Sequence, residues 1–200
     1  MCMPRAATNK SHAGRERLTA QDWVDAALAA IAEGGLAAVA VEPLAARLGT
    51  TKGSFYWHFS NRAALIDAAL QHWEERNTEQ VITTVDPEPD PERRLRDLFK
   101  TVPAAGGGDP VEVALLATAG HPQVAPVLRR VTERRVDYVT DVFTDIGFPR
   151  DEARRRGLLV YTAHLGQTQL LHAVPYVLPA TEADRRRYLD TLVHTLLRPE

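Results

Sequence analysis

The sequence has 200 residues, of which 44% are hydrophobic and 25% are charged, and its formal net charge is −2. These proportions are typical of a globular protein, and the length allows a substantial core. Because Cys2 is the single cysteine, no intramolecular disulfide can form, and we expect a cytoplasmic protein. The opening residues hold no apolar signal segment, and no stretch approaches the ~18 apolar residues of a membrane span. We therefore expect neither secretion nor a membrane partner.

Residues 1–17 are small, polar and basic and show no hydrophobic period. They predict a flexible basic arm, which either lies along nucleic-acid phosphates or a minor groove, or is an ordinary solvated tail. Residues 1–62 hold seven Lys or Arg against five Asp or Glu, whereas residues 63–200 hold 17 against 21. This distribution favours a basic N-terminal surface on an acidic body.

A first helix is predicted to begin at the capping pattern formed by Thr19 and Asp22, and to end at the glycine pair 34–35. Two short helices follow, over residues 41–48 and 52–59. Gly49 can adopt the left-handed conformation that ends the first of them, and Thr51 offers a hydroxyl cap to the second. Ala40 precedes the first short helix and has no side-chain oxygen to cap it.

The second short helix carries an unusual concentration of aromatic and polar side chains. Phe55 and Phe59 are four residues apart, so both can pack inward. The remaining surface presents a cation, hydroxyls, aromatic rings and a glycine, which suits insertion into a DNA major groove. In a helix-turn-helix, the second helix reaches base edges while the first crosses the backbone. The alternative is that these aromatic residues only build a compact three-helix core.

The run LGTTKGSFYWHFSNRAALIDAAL, residues 48–70, resembles the DNA-binding signature of the TetR family of transcriptional regulators. The resemblance extends back to about Leu18 and covers roughly the first third of the chain. It implies contacts with bases or the groove floor from Lys52, Gly53, Ser54 and Trp57. It implies contacts with phosphates from Thr51, Tyr56, His58 and Arg62. Lys52 suits either a guanine or a phosphate, so the operator sequence cannot be read from it.

The remaining periodic segments also predict helices. A fourth helix is expected from a cap at Ser60 or Asn61 to about Val81, and the proline-rich acidic run 85–92 marks a boundary. Five more helices are expected near residues 95–102, 111–118, 124–146, 151–174 and 181–197. The sequence therefore predicts an all-α protein of about nine helices. Residues 18–82 would form a helix-turn-helix domain with its linking helix, and residues 83–200 a ligand-binding and dimerisation domain.

Polar residues recur on the helix predicted over residues 151–174. The TetR resemblance implies a small-molecule pocket in this half of the chain, and four of these residues share one helical stripe. The candidates are Tyr161, His164, Thr168 and His172, together with Tyr138 and His121 from elsewhere. Each could instead be a core polar group or a dimer contact. No Cys or acidic residue sits at ligand spacing on the stripe, so we expect no metal and no cofactor.

The last two predicted helices carry apolar residues that suit a four-helix dimer interface, as the resemblance implies. These are Leu158, Leu165, Leu189, Leu192, Val193 and Leu196. A monomer could bury them in its own core instead. We favour a homodimer, because two-fold symmetry lets a pair of helix-turn-helix units read a palindrome.

The sequence as a whole favours a ligand-responsive transcriptional regulator, and specifically a repressor. It would release a palindromic double-stranded operator when an unidentified small molecule binds the second domain. The alternative is a helical enzyme that uses His121, His164 or His172 as acid or base. That alternative is weaker, since the sequence contains neither HExxH nor GxSxG, and we expect no enzymatic activity.

Overall fold

The structure is a computed structural model that describes residues 18–101 and 108–198. Within these ranges it contains nine helices and no strand, as the sequence predicts. The predicted basic arm, residues 1–17, lies outside them. The helices are α1 (Ala20–Gly34), α2 (Val41–Arg47), α3 (Lys52–Phe55), α4 (Arg62–Glu74, continued by a π-helical segment Glu75–Glu79 and by Gln80–Val85), α5 (Pro91–Thr101), α6 (Pro110–Ala117), α7 (Val124–Ile146), α8 (Arg150–Ala173) and α9 (Glu182–Leu197).

The helix ends follow local chemistry in most places. Thr19 and Asp22 form a capping box at the start of α1, and Thr181 accepts a hydrogen bond from the Asp184 amide at the start of α9. Gly49 has a φ of 64° between α2 and α3, a conformation that residues with a Cβ seldom adopt. Ala40 provides no side-chain hydrogen bond to α2. This helix therefore depends on packing for its stability.

Regular helix ends earlier in α3 than the sequence predicts. The α-helical part stops at Phe55 instead of residue 59, and the amides of Trp57 and His58 bond the carbonyls three residues before them. Such i→i+3 bonds are the usual tightening of a last helical turn. The next helix begins at Arg62, where the Asn61 side chain accepts a hydrogen bond from the Ala64 amide at 2.9 Å.

Two hydrophobic cores hold the chain together. The first packs α1 to α4 around buried side chains such as Trp23, Phe55 and Trp73, and it continues into α6 and the first half of α7 through Val111, Leu115, Val124, Val127, Leu128 and Val131. The second joins the end of α4 to α5, α7, α8 and α9. The first core therefore crosses the boundary that the sequence predicts between residues 82 and 83.

One arginine bonds the end of the last helix, whose apolar face packs on the second core. Arg156 on α8 is buried, and its guanidinium donates hydrogen bonds to the carbonyls of Leu196 and Arg198. The same guanidinium lies 4.1 Å from the ring centroid of Phe148. Carbonyls at the end of a helix have no partners within it. Arg156 therefore fastens the end of α9 to α8.

In the described ranges, no helix has both the length and the apolar character needed to cross a bilayer.

Helices α7 and α8 approach closely at Gly157. A Cβ at this position would lie 2.9 Å from Thr140 Oγ1 and 3.2 Å from both the Thr140 amide nitrogen and the Val136 carbonyl oxygen. A Cβ at Gly166, in the same helix, would meet no atom of a neighbouring element within 4 Å. Only the first of these two glycines is required by packing.

We expect Gly157→Ala to lower the free energy of unfolding by about 1 kcal/mol, because overpacking costs about 1–3 kcal/mol and outweighs the gain in helix propensity. Gly166→Ala, the matched control, should raise it by up to about 1 kcal/mol, since only the propensity gain applies there. Urea denaturation of both variants measures the difference. Equal effects of the two substitutions would contradict the close approach at Gly157.

Candidate nucleic-acid interface and ligand cavity

The short helix α3 and the tightened turn that follows it present one buried and two exposed aromatic residues. Phe55 is fully buried, with its ring centroid 5.3 Å from that of Trp23 and 5.8 Å from that of Phe59. Tyr56 is 56% exposed and Trp57 is 86% exposed. Burying Phe55 in the core fixes the backbone, so that the next two rings point into solvent. Two adjacent exposed rings give this surface an apolar patch, which is a feature of interaction sites.

The residues around these rings complete a polar surface. Thr51 and Lys52 are exposed, whereas Ser54 and His58 are half-buried. Lys52 Nζ lies 2.9 Å from Glu42 Oε1 on α2, and the hydrogen bond to Glu42 and the charge of that carboxylate raise the pKa of Lys52. Gly53 is exposed, so its missing side chain leaves the backbone open to close approach from outside.

Arg62 contacts the protein itself. Its Nε donates to the Val39 carbonyl and its Nη2 donates to the Leu36 carbonyl, each at 2.5 Å. These bonds use two of the five N–H donors of an exposed side chain, so the predicted phosphate contact stays a prediction. Arg62 also fastens the first turn of α4 to the turn between α1 and α2, a contact between residues 23 positions apart that the sequence does not reveal.

A cavity of about 180 Å³ lies between α4, α5, α6, α7 and α8. Its walls are mainly apolar and include Val81, Ile82, Leu98, Phe99, Val139 and Val160. Its polar lining comprises Asn77, Thr78, Asp109, Glu112, Arg135, Tyr138, Tyr161, His164, Gln167 and Thr168. An apolar chamber with a few converging polar groups is the usual form of a small-molecule site.

Four of the six predicted ligand residues line this cavity, namely Tyr138, Tyr161, His164 and Thr168. The other two do not. His172 is exposed one helical turn beyond Thr168, past the end of the cavity. His121 belongs to the turn before α7, where its Nδ1 accepts a hydrogen bond from the Gln123 amide at 3.3 Å. Sharing a helical stripe therefore places Tyr161, His164 and Thr168 together but does not bring in His172.

The polar end of the cavity is organised by an ionic network that the sequence does not predict. Glu112 on α6 is only 2% exposed. Its Oε1 accepts a hydrogen bond from Arg135 Nη1 at 2.6 Å, and its Oε2 lies 3.0 Å from His164 Nε2. A buried carboxylate is tolerated only with partners of this kind. The one available signal is an isolated glutamate within the apolar run of α6.

Arg135 also contacts the π-helical segment of α4. Its Nε donates to Thr78 Oγ1 and its Nη2 donates to the Asn77 carbonyl, both at 3.0 Å. Its guanidinium carbon lies 5.7 Å from the centroid of the Trp73 ring. Single π-helical turns are rare and occur often at functional sites. One arginine therefore connects the cavity's carboxylate to an irregular turn of α4, the helix that leads away from the N-terminal unit formed by α1 to α3, here called the head.

Burial and charge alter the titration of the cavity residues. Burial alone would raise the pKa of Glu112, but the hydrogen bond with His164 and the charge of Arg135 outweigh it, and the pKa is lowered. Burial raises the pKa of Tyr161. Burial and the neighbouring Asp86 carboxylate raise the pKa of Tyr138 to about 12. Glu112 is therefore ionised and both phenols are neutral at pH 7.

We expect Glu112→Gln to remove one source of acid sensitivity. Since the folded-state pKa of Glu112 is below its ordinary value of 4.5, the ionised group stabilises the fold above that pH. This stabilisation is lost as the pH falls from about 4.5 through the lowered pKa. The difference in free energy of unfolding between the wild type and the variant should therefore shrink on acidification. Urea denaturation at several pH values from about 3 to 7 measures it.

The control for this experiment is Glu75→Gln, which changes an exposed glutamate on α4. A difference from wild type that stays constant with pH in Glu112→Gln, or an equal pH dependence in the control, would contradict the assignment to Glu112.

The predicted dimer residues divide into two groups. Leu158 is 52% exposed and lies next to the equally exposed Leu159. Val193 is buried in the chain's own second core, which corrects the prediction that it supplies interface surface. Leu189, Leu192 and Leu196 are half-buried against that core, and Leu165 is half-buried on α8. The exposed parts of these four leucines are available to a partner copy, and the dimer interface stays a prediction.

The described residues contain no group of three His, Cys, Asp or Glu side chains placed to hold a metal ion. The network of Glu112 and His164 has Arg135 as its third member, and a guanidinium is not a metal ligand. The network is therefore an ion-pair arrangement with hydrogen-bonding capacity toward the cavity.

Residues 24–69 match the model of the bacterial regulatory proteins of the tetR family. A solved transcriptional regulator from Rhodococcus sp. Rha1 aligns with 90% of this chain and 96% of its own, at 22% identity and a TM-score of 0.75. AibR, solved with isovaleryl coenzyme A and operator DNA, aligns over 90% and 99% at 19% identity, with a TM-score of 0.65.

The multidrug binding protein EbrR, solved with malachite green, aligns over 93% of this chain and 100% of its own, at 23% identity and a TM-score of 0.61. Among curated proteins, none matches the sequence. At these identities the structural likenesses show the fold, while the match over residues 24–69 covers α1 to α3 and much of α4. Residues 24–69, which include the predicted helix-turn-helix, therefore match the TetR family of transcriptional regulators, and the chain shares the fold of these solved proteins.

Proposed function

We propose that this regulator is a repressor that binds a palindromic operator as a homodimer and releases it when a small molecule enters the cavity. The observation that carries the proposal is the course of α4. Its first turn is fastened to the helix-turn-helix by Arg62, and its last part supplies Asn77, Thr78, Val81 and Ile82 to the cavity lining. One helix therefore contacts both functional regions.

The DNA-binding end of the proposal rests on the exposed surface of α3. Trp57 and Tyr56 stand out from the head, and Lys52 and Thr51 lie beside them. Together they offer apolar contact, hydroxyl groups and a positive charge to a groove and its phosphates. The ion pair between Lys52 and Glu42 is fully exposed, and such pairs are weak. A phosphate can therefore take the place of Glu42 at little cost.

The ligand-binding end rests on the contacts of the cavity with α4. A ligand changes DNA affinity only if it binds one conformation of the protein better than the other. The π-helical segment Glu75–Glu79 is held by two hydrogen bonds from Arg135, whose third bond is to Glu112 in the cavity lining. A molecule that rearranges these bonds would reposition α4 and the head attached to it.

The relatives and the apolar surface support the remaining parts of the proposal. AibR, which has this fold, has been solved with an acyl-coenzyme A and operator DNA together. Leu158 and Leu159 leave an apolar surface on α8 beside α9, which suits a partner copy. Two copies related by a two-fold axis would present their α3 helices to major grooves about 34 Å apart.

A gel-shift experiment with the DNA upstream of the protein's own gene tests the proposal. We expect salt-sensitive binding that Tyr56→Ala weakens by at least about 10-fold, on the usual worth of a well-formed DNA contact. The matched control is Tyr176→Ala, which removes an exposed tyrosine after α8. Equal binding by the two variants, or no binding of wild type to adjacent promoters at low salt, would contradict the proposal.

The alternative of a helical enzyme has lost its geometric basis. Of the three histidines that it would use, His164 lines the cavity, while His121 and His172 lie elsewhere. His164 Nε2 is already paired with Glu112. No observation favours this alternative.

A further inference from the structure

We propose that the cavity is selective for a compact apolar molecule carrying a hydrogen-bond-donating positive charge, such as a primary amine, over the carboxylate of the same shape. The inference rests on the proposed function in that it takes this cavity as the effector site. It concerns the chemical class of the effector, and three features of the lining carry it: the charge balance, the free hydrogen-bonding atoms and the volume.

The charged groups of the lining leave an excess of negative charge. Arg135 and Glu112 offset each other at 2.6 Å. Within the described part of the chain, the donors to Asp109 are neutral groups, the Trp73 indole at 2.5 Å and the Val111 amide at 2.9 Å. No salt bridge joins Asp109 to a cation of the described chain. The N-terminus of α6 supplies about half a positive charge beside it. The remaining excess favours a cation in the cavity.

The free polar atoms of the lining are mainly acceptors. Gln167 Nε2 donates to the Tyr188 hydroxyl at 3.2 Å, which leaves its Oε1 as an acceptor. Asn77 Nδ2 donates to the Trp73 carbonyl at 3.1 Å, which leaves Oδ1 as an acceptor. A ligand must therefore bring donors to pair with these groups.

A ligand carboxylate would need a cation of the lining, and that cation is already bonded. The one arginine of the lining already uses Nε, Nη1 and Nη2 for Thr78, Glu112 and the Asn77 carbonyl. An anion that captured this guanidinium would weaken the partnership of Glu112, which is almost completely buried. Leaving a buried charge unpaired is more costly than the new ion pair is favourable.

The volume limits the size of the occupant. A cavity of about 150 Å³ in another protein holds one benzene molecule, and this one measures about 180 Å³. It therefore accommodates one ring with a short chain in the present conformation. The apolar walls from Leu98, Phe99 and Val160 would contact the ring, and the charged end would lie near Asp109 and His164.

Three probes of one shape test the proposal, namely 3-phenylpropylamine, 3-phenylpropanol and 3-phenylpropanoate. Isothermal titration calorimetry on the full chain near neutral pH should show the amine binding at least about 10-fold tighter than the carboxylate, with the alcohol between them. A carboxylate that binds as tightly as the amine overturns the proposal. Failure of the amine to bind at millimolar concentration also overturns it.

The variant Asp109→Asn locates the selectivity. Asparagine keeps one oxygen, which can still accept from the Val111 amide and cap α6, but it removes the excess charge and gives up the oxygen that accepts from the Trp73 indole. The affinity ratio of amine to alcohol should fall at least about 3-fold, and the use of a ratio cancels any common effect on the fold. An unchanged ratio would show that Asp109 does not confer selectivity and would overturn the charge argument.

Calorimetry without DNA separates this proposal from the regulatory one. If the amine binds and the gel shift with operator DNA does not change, the ligand class stands and ligand-driven release fails. If the carboxylate binds and releases DNA, the regulatory proposal stands and the charge selectivity fails.

Discussion

Replacing Arg135 with methionine is expected to lower the free energy of unfolding by about 3 kcal/mol. The substitution keeps a long apolar side chain against the Trp73 ring but leaves Glu112 buried without its closest partner. Breaking a buried ion pair in this way costs about 3–5 kcal/mol. We expect the lower end of that range because His164 remains within 3.0 Å of the same carboxylate. Urea denaturation followed by circular dichroism measures the loss.

The matched control is Arg130→Met, five residues earlier on α7. Arg130 pairs with Glu74 on α4, but its side chain is mostly exposed, and exposed pairs contribute at most about 1 kcal/mol. Comparable losses of stability in the two variants would contradict the prediction that the buried Arg135 pair contributes more than the exposed Arg130 pair. The double variant Arg135→Met with Glu112→Leu should recover much of the lost stability, because it removes the unpaired charge itself.

The second large effect is expected in the head, where adjacent positions should behave in opposite ways. Phe55→Ala removes a fully buried ring in contact with Trp23 and Phe59. It should cost about 3–5 kcal/mol of stability and abolish DNA binding by disordering α3. Trp57→Ala removes a ring that is almost wholly in solvent, so it should change stability by less than about 0.5 kcal/mol while weakening DNA binding at least about 10-fold.

The two substitutions are compared by denaturation and by gel shift on the same preparations. The informative result is the dissociation of stability from DNA affinity in Trp57→Ala. Retention of full DNA affinity in that variant would remove Trp57 from the proposed interface. A stability loss in Trp57→Ala as large as that in Phe55→Ala would show that the indole packs on the head.

The sequence predicted the helices well because their ends are set locally. Thr19, Gly49 and Thr181 act within three or four residues of themselves, through capping oxygens or a left-handed glycine. The period of the apolar residues then identifies the buried face of each long helix. These signals need no knowledge of the tertiary structure, and the all-α fold follows from them.

The features that the sequence did not predict depend on contacts between distant residues. The guanidinium of Arg62 bonds carbonyls more than 20 residues away, and Arg135 bonds the π-helical segment 57 and 58 residues before it. A basic residue on an amphipathic helix is most often on the solvated face, so Arg135 in the run ERRV gave no sign of burial. Its role becomes visible only when α6 brings Glu112 beside it.

The sequence predicts the cavity only in part, because some of its lining depends on contacts between distant residues. Tyr161, His164 and Thr168 share one face of α8, and helical spacing alone identifies them. The position of the cavity along that face depends on where α4 and α6 cross α8, and this decides that His172 is excluded. The sequence does not identify Glu112, because an acid in an apolar helix has no local partner. The dimer surface and the DNA contacts stay predictions for the experiments described above.

The sharing of the first core between the head and the rest of the chain bears on how the molecule folds. Residues Val111, Leu115, Val124 and Val127 cover the same apolar cluster as Trp73 and Leu70. A fragment ending at Val85 would expose that cluster to water and should aggregate or remain partly unfolded. Head and body should therefore melt in one cooperative transition, and an effector that stabilises the cavity should raise the melting temperature of the DNA-binding helices as well.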